Sequence, residues 1–534
     1  MHELALIIGL LLATVIAVSL GDRLHLPYPV LMVLIALGMA FIPGIPELHI
    51  EPELILPLFL PPLLFATAKK TSWSVFRIRW RSVILLAIGL VVVTVAVVAG
   101  AAWLLIPGIG LPAAIALGAM VAPPDPVAVE SVAGRVHMPR RLLTVLQSEG
   151  LFNDAAAIVI FQTAVLAAVD GHDIDGWLAL KFITGAAIAV VLGLAMAWAA
   201  KKLIGYIQSS TARSAVTLVV PFAVYILAEE FHASGVIAVV VTALEMKRRT
   251  RPQDAAERIT GNAFWEVVEL LATGLAFGLI GLVSRTVIHD VGDRMLPMLG
   301  VAGIICAAVV IIRALWLAVL VPFNRRRNDG LPPNGPKDVL LLTWCGMRGL
   351  ATLALALALP ETTADGSPFP ARDQIVLTAV AVLFTTLVIP GITLPALMRK
   401  LKMRESPAAE HEAEMVLAQR AEDAALIALH NAPFVHDLPH QRQDAIERGI
   451  KRLSEDLVID VAHSPLTDEG SRHDSEVAIR TIALDAARQV IVESRNEPDV
   501  DPEIADRVLR RLDLRTVLIQ EAGERRELLK SPHT

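Results

Sequence analysis

Cysteine is almost absent from this chain: Cys306 and Cys345 are the only two, and both fall inside apolar runs. A disulfide framework or a cysteine metal cluster therefore has no basis. Also missing are a G-x-x-x-x-G-K loop, a convincing dinucleotide fold and a nucleophile elbow. ATP-driven transport and hydrolase chemistry lose their support, and neither an enzyme activity nor a cofactor nor a nucleic-acid partner is expected. His436 and His440 have the i,i+4 spacing of a helical metal pair, but Pro439 lies between them and spoils it. The opening Met1-His2-Glu3-Leu4 lacks the basic stretch and small-residue cleavage site of a signal peptide, so the first apolar segment is expected to stay as a helix. Aromatic residues are scarce too, at 5%.

What remains is aliphatic. Hydrophobic residues make up 55% of the 534, and the mean hydropathy of +0.60 exceeds what a soluble core of this length needs. The net charge of −6 says little, because charge gathers in loops and beyond Leu401, where the composition changes abruptly. Two regions are expected: a transmembrane region over 1–400 and a helical cytoplasmic region over 401–534.

Stretches long enough to cross roughly 30 Å of hydrocarbon number about thirteen. They run at roughly 3–20, 28–43, 52–68, 82–107, 111–134, 142–169, 177–200, 212–230, 233–246, 263–284, 296–322, 337–360 and 374–398. Basic residues fall in alternate loops, as with Lys69, Lys70, Arg77, Arg79 and Arg81, or Arg325, Arg326, Arg327 and Lys337. The loop with Glu47, Glu51 and Glu53 and the turn with Asp170, Asp173 and Asp175 have none. Cytoplasmic loops collect Lys and Arg, which puts the N-terminus outside and the tail inside. The fold class is an all-α polytopic membrane protein with a helical tail.

If segments 1–6 and 8–13 are related repeats, an offset of seven crossings inverts them, which is a common transporter architecture. Segment 5 carries Ala122-Pro123-Pro124-Asp125-Pro126-Val127, and segment 12 carries Cys345-Gly346-Met347-Arg348-Gly349. Proline removes a backbone donor and glycine weakens a helix, so both segments should be broken and should expose helix ends at membrane depth. Asp125 then suits positive helix ends and Arg348 negative ones. Each either stabilises the crossing only or also touches substrate.

Asp154 stands out further. A charge at the bilayer centre costs roughly 2.5 to 3.5 kcal/mol on insertion scales, and its own helix offers no neutralising residue at adjacent spacing. An unpaired buried carboxylate is a reversible proton site, and a cation can replace the proton. The alternative is an ion pair with another helix. Glu149 lies five positions earlier and projects elsewhere. Arg313 sits mid-segment at similar cost, so a Glu149 to Arg313 bridge tying two helices is expected.

Ser148-Glu149-Gly150-Leu151-Phe152-Asn153-Asp154, with Pro124-Asp125-Pro126-Val127-Ala128-Val129 before it and Gly346-Met347-Arg348-Gly349 after it, resembles the monovalent cation/proton antiporter family 1. Leu60-Pro61-Pro62-Leu63-Leu64-Phe65, Ser234-Gly235-Val236-Ile237-Ala238-Val239 and Phe264-Trp265-Glu266 extend the resemblance over most of 1–400. It implies a homodimer in a plasma membrane that exchanges Na⁺, and in some members Li⁺ or K⁺, for H⁺. It also implies that Asp154 holds the monovalent cation or the proton in turn, and that Asn153 beside it accompanies electroneutral exchange. Asp125 and Arg348 would sit at the two breaks, and Glu149 and Arg313 would form the interhelical pair.

Some side-chain oxygens that relatives carry are missing. Pro124 stands where many have Thr, Gly150 where Ser is frequent, Ala66 where a carboxylate is common, and Thr273 where Asn or an acid is common. Backbone carbonyls and water then take more of the coordination. The mechanism expected is alternating access with Asp154 meeting each face in turn; an acid-lined cation channel or pH-gated pore is the other reading of the same residues.

Overall fold

The computed structural model describes residues 2–24, 26–40, 52–70, 85–125, 128–131, 138–171, 176–207, 209–248, 255–291, 295–327, 332–403, 407–432, 435, 440–458, 474–495, 497, 500 and 502–530. Pro126, Val127, His436, Glu47, Glu51, Asp173, Asp175, Arg77, Arg79 and Arg81 lie outside them. The described residues are overwhelmingly helical, with no strand beyond one isolated bridge between Thr362 and Pro368.

The first helices are α1 (His2–Leu24), α2 (Tyr28–Ala40) and α3 (Pro52–Lys70). A π-helical turn at Leu85–Gly89 runs into α4 (Leu90–Leu105), then come α5 (Leu111–Val121), α6 (Arg140–Asp170), α7 (Gly176–Tyr206), α8 (Ser210–Glu230) and α9 (Gly235–Arg248). The remainder of the apolar region is α10 (Ala255–Val291), α11 (Met295–Arg327), α12 (Pro336–Trp344), α13 (Leu350–Leu357) and α14 (Arg372–Leu401). Helix thus occupies each of the thirteen stretches read from the sequence. Eight helical stretches are long and apolar enough to cross a bilayer, while Tyr28–Met39, Leu56–Lys69 and Leu111–Val121 are apolar but shorter. At 122–125 and 345–349, where proline and glycine interrupt a crossing, no single helical run reaches the ~20 residues a span needs.

Large apolar side chains such as Leu12, Val191, Val219 and Ile311 remain exposed on these helices. Hydrocarbon suits them, because apolar side chains meet no polar solvent there and the interior of a helix keeps its backbone groups bonded within the segment. Inside, one apolar cluster joins Phe65 of α3, Val95 and Val98 of α4, Leu117 and Met120 of α5 and Ile158 of α6. A second joins Val30 and Met32 of α2, Leu142 of α6, Phe277 of α10 and Leu383 of α14. The two clusters flank the site described below.

The C-terminal residues form α15 (Pro407–Asn431), α16 (His440–Ile450), α17 (Leu453–Val458), α18 (Asp474–Ser494) and α19 (Pro502–Lys530). Apolar spacing over 410–429 and 479–491 leads to helices there, and their seam buries Ala421, Ala487, Ile491, Val508 and Leu512. Pro502 opens α19, where its missing N–H costs nothing. Arg488 is buried with Asp513 at 2.6 Å, Asp485 at 2.9 Å and Thr516 Oγ1 at 3.2 Å. Asp513→Ala leaves Arg488 one carboxylate short and should cost about 2 kcal/mol, the scale of a hydrogen bond to a charge. A urea titration of the purified full-length chain followed at the C-terminal helices checks this. α19 also packs against α10, with Arg510 Nη2 3.9 Å from Glu266 Oε1.

Candidate functional site

Two interrupted helices meet at the centre of the apolar region. α5 ends at Val121, residues 122–125 are not helical, and a helical turn resumes at 128–131. Pro123 and Pro124 have no N–H to continue the ladder, so the break follows from the sequence. α12 ends at Trp344, and α13 begins at Leu350 after the non-helical Cys345 to Gly349 stretch. The breaks touch through their backbones, with Asp125 N donating to Met347 O at 2.7 Å.

Asp125 and Arg348 serve opposite helix ends. One carboxylate oxygen of Asp125 accepts from Leu350 N at 3.0 Å, and the other from Ala128 N at 3.4 Å. A single acid therefore caps two helix starts, where orphan N–H groups and the helix dipole favour negative charge. Arg348 Nε donates to Val121 O at 3.0 Å and Nη2 to Ala122 O at 3.4 Å, while Nη1 donates to Gly346 O. These carbonyls belong to the two helix C-terminal ends, which favour a cation.

Gly349 is required at this point, since a Cβ there would lie 1.7 Å from Asp125 Oδ2. Gly346 is similarly crowded, with a Cβ falling 2.6 Å from Arg313 Cδ. Gly349→Ala must push Asp125 off one cap or both. It should destabilise the fold by about 1 to 3 kcal/mol and lower exchange at least tenfold, measured as thermal unfolding and flux of the same preparation.

Asp154 lies on α6 facing a cavity that Asp125 and Pro123 of the first break, Gly349 to Ala351 of the second, Leu60, Leu63, Leu64 and Thr67 of α3 and Thr273 of α10 also line. Its Oδ1 is buried and makes no hydrogen bond among the described residues. Asn153, fully buried, donates from Nδ2 to Pro124 O at 3.1 Å, which ties α6 to the first break, and its Oδ1 is left without a partner. Two adjacent residues thus leave acceptor oxygens unmatched among the described residues. A cation or a proton supplies what such oxygens lack.

Glu149 and Arg313 sit apart from that cavity. The guanidinium grips the carboxylate through Nη1 at 2.5 Å and Nη2 at 3.0 Å, with Nε on Leu342 O at 2.9 Å, and both residues are buried. This joins α6, α11 and α12. Of the side-chain oxygens counted as missing from the sequence, Ala66 and Gly150 are buried and bring none, whereas Thr273 supplies a hydroxyl. Sequence reasoning overlooked Glu269 and Tyr28, which lie next to Thr273. Glu269 is a buried acid on the same helix, and its spacing of four residues from Thr273 was the available signal. No group of three or more His, Cys, Asp or Glu that could hold a metal occurs among the described residues.

The sequence profile of "Sodium/hydrogen exchanger, transmembrane" matches residues 9–400. The chain belongs to this exchanger family. A so far uncharacterised Na⁺/H⁺ exchanger of Mycobacterium bovis is 31% identical over 98% of this chain and 97% of its own length. A sodium, potassium, lithium and rubidium/H⁺ antiporter of Bacillus pumilus is 31% identical over 74% of this chain and 62% of its own. The exchanger also shares its fold with the sodium proton antiporter MjNhaP1 from Methanocaldococcus jannaschii, at a TM-score of 0.58 and 21% identity, covering 75% of this chain and 98% of that one. Cation/proton antiport is the activity of this exchanger family.

Proposed function

We propose that this exchanger moves Na⁺, with Li⁺ and K⁺ as further candidates, against H⁺ through competition for the Asp154 carboxylate. The observation that carries the reading is the buried Oδ1 of Asp154, without a hydrogen-bond partner among the described residues, in the cavity where the broken helices cross. One site that holds either ion enforces coupling, because the carboxylate returns only when reloaded. Asn153 is uncharged, so a single negative charge carries one monovalent cation or one proton, and the exchange is electroneutral. Asp125 and Arg348 hold the crossing, with Asp125 also exposed to the cavity, and Glu149 with Arg313 ties the surrounding helices. The cation set given in the name of the Bacillus pumilus relative supports a site of modest selectivity.

The Lys and Arg alternation supports an outside N-terminus and cytoplasmic C-terminal helices in a plasma membrane, with 1–400 as the transporter and 401–534 as its cytoplasmic region. The apolar side chains left exposed on α1 and α7 suit lipid and a second copy of the chain, and a homodimer is the assembly we favour. The protein acts as a transporter and not as an enzyme.

The test is collapse of a preset pH gradient in proteoliposomes on addition of Na⁺, Li⁺ or K⁺, with and without an electrical clamp. Saturable, proton-coupled flux at the same rate under the clamp supports electroneutral exchange. A clamp-dependent rate refutes electroneutrality, and cation flux without counter-moving protons favours a channel.

A further inference from the structure

Glu266, Glu269 and Thr273 lie at i, i+3 and i+7 on α10, so they share one face of the helix. Their exposure falls steadily inward: Glu266 is exposed beside Arg510 of α19, Glu269 is 7% exposed, and Thr273 is 1% exposed. At about 1.5 Å of rise per residue, Glu269 stands roughly 6 Å from Thr273 and Glu266 roughly 10 Å from it along the axis. The face therefore begins in the water next to the C-terminal helices and ends in the cavity of Asp154.

Two observations at its inner end point to a ligand. Thr273 lines the same cavity as Asp154, and no hydrogen bond of regular geometry closes on its Oγ1 among the described residues. Tyr28, in the first turn of α2, brings its phenol against Thr273 and within electrostatic reach of Glu269 and Asp125. α2 lies along α10, so this contact is a product of the main helix packing there. A carboxylate one helical turn from Thr273, a phenol against Thr273 and the Thr273 hydroxyl itself thus lie beside the Asp154 cavity, a hard oxygen set that suits a partly dehydrated monovalent cation.

We propose that Glu269, with Tyr28 and Thr273, forms a second cation station on the approach to Asp154 from the side of the C-terminal helices. The inference rests on the exchange reading above. The station holds the cation after it sheds part of its water and before it displaces the proton from Asp154. It therefore sets the concentration at which the site fills, while the turnover of the filled site belongs to Asp154. A Glu269 that only props α10 against α2 would leave the half-saturating concentration where it is.

The experiment is flux against Na⁺ concentration in proteoliposomes of the full-length chain, with Li⁺ and K⁺ in parallel, for wild type, Glu269→Gln, Tyr28→Phe and Asp154→Asn. Glu269→Gln should raise half-saturating Na⁺ about tenfold with the maximal rate within about twofold of wild type, and Tyr28→Phe about threefold. Unchanged half-saturation in both variants overturns the station, as does a fall in maximal rate at unchanged half-saturation. Where Glu269→Gln does not yield a monodisperse protein, Tyr28→Phe decides by the same readout. Wild type without proton-coupled flux overturns the exchange reading and the station with it. Full flux in Asp154→Asn overturns the role of Asp154 alone, while a raised half-saturation in Glu269→Gln would still support the station.

Discussion

Asp154→Asn should abolish proton-coupled cation exchange, by at least about a hundredfold, while the protein still folds and inserts. The substitution keeps the shape of the side chain and removes its charge and its titration. An amide neither binds a proton reversibly near neutral pH nor offers a monovalent cation a charged ligand. Asp154 Oδ1 takes no hydrogen bond among the described residues, so no native bond is lost at that oxygen. Stability should change little or rise, as a desolvated charge is removed. Purified protein tested for thermal unfolding and for gradient collapse separates the two effects. Retained coupling in the variant would place the exchanged ions on another group.

Arg313→Ala should give the largest loss of stability, about 3 to 5 kcal/mol, because it strands the Glu149 carboxylate among buried neighbours. The pair is fully enclosed, and the guanidinium also holds Leu342 O, so the loss reaches α6, α11 and α12 together. Truncating both partners should be milder than truncating Arg313 alone. Glu149→Gln with Arg313→Met leaves no stranded charge and should recover more than half of the deficit. Thermal unfolding in one detergent across the single and double variants measures this. A double variant as unstable as the single would mean the helices need the pair itself.

Much of this site was legible from cost alone. Charges are expensive in hydrocarbon, so Glu149 and Arg313 called for each other across 164 residues of chain, and the structure joins them. The breaks were legible because proline and glycine act locally, and Asp125 and Arg348 lie within those local signals. What the chain did not disclose depends on which helices touch. Tyr28 meets Thr273 only because α2 lies along α10, and no local pattern encodes that packing. Glu269 escaped notice because it follows the exposed Glu266 by one turn, at the edge of a segment whose outer part is charged.

The links between the breaks also constrain how the protein can move. Asp125 bonds to both helix starts and through its N–H to Met347 O, while Arg348 holds Val121 O and Ala122 O from the other side. Neither broken helix could shift alone without breaking these bonds, so the proposed exchange calls for the pair to move as one body with α6, which Asn153 fastens to it. The rest of the cavity lining, Leu60, Leu63, Leu64 and Thr67 of α3 and Thr273 of α10, contributes only apolar and hydroxyl surface. Such a surface has no charge pairs to break, so for the exchange proposed above it is the expected shear plane.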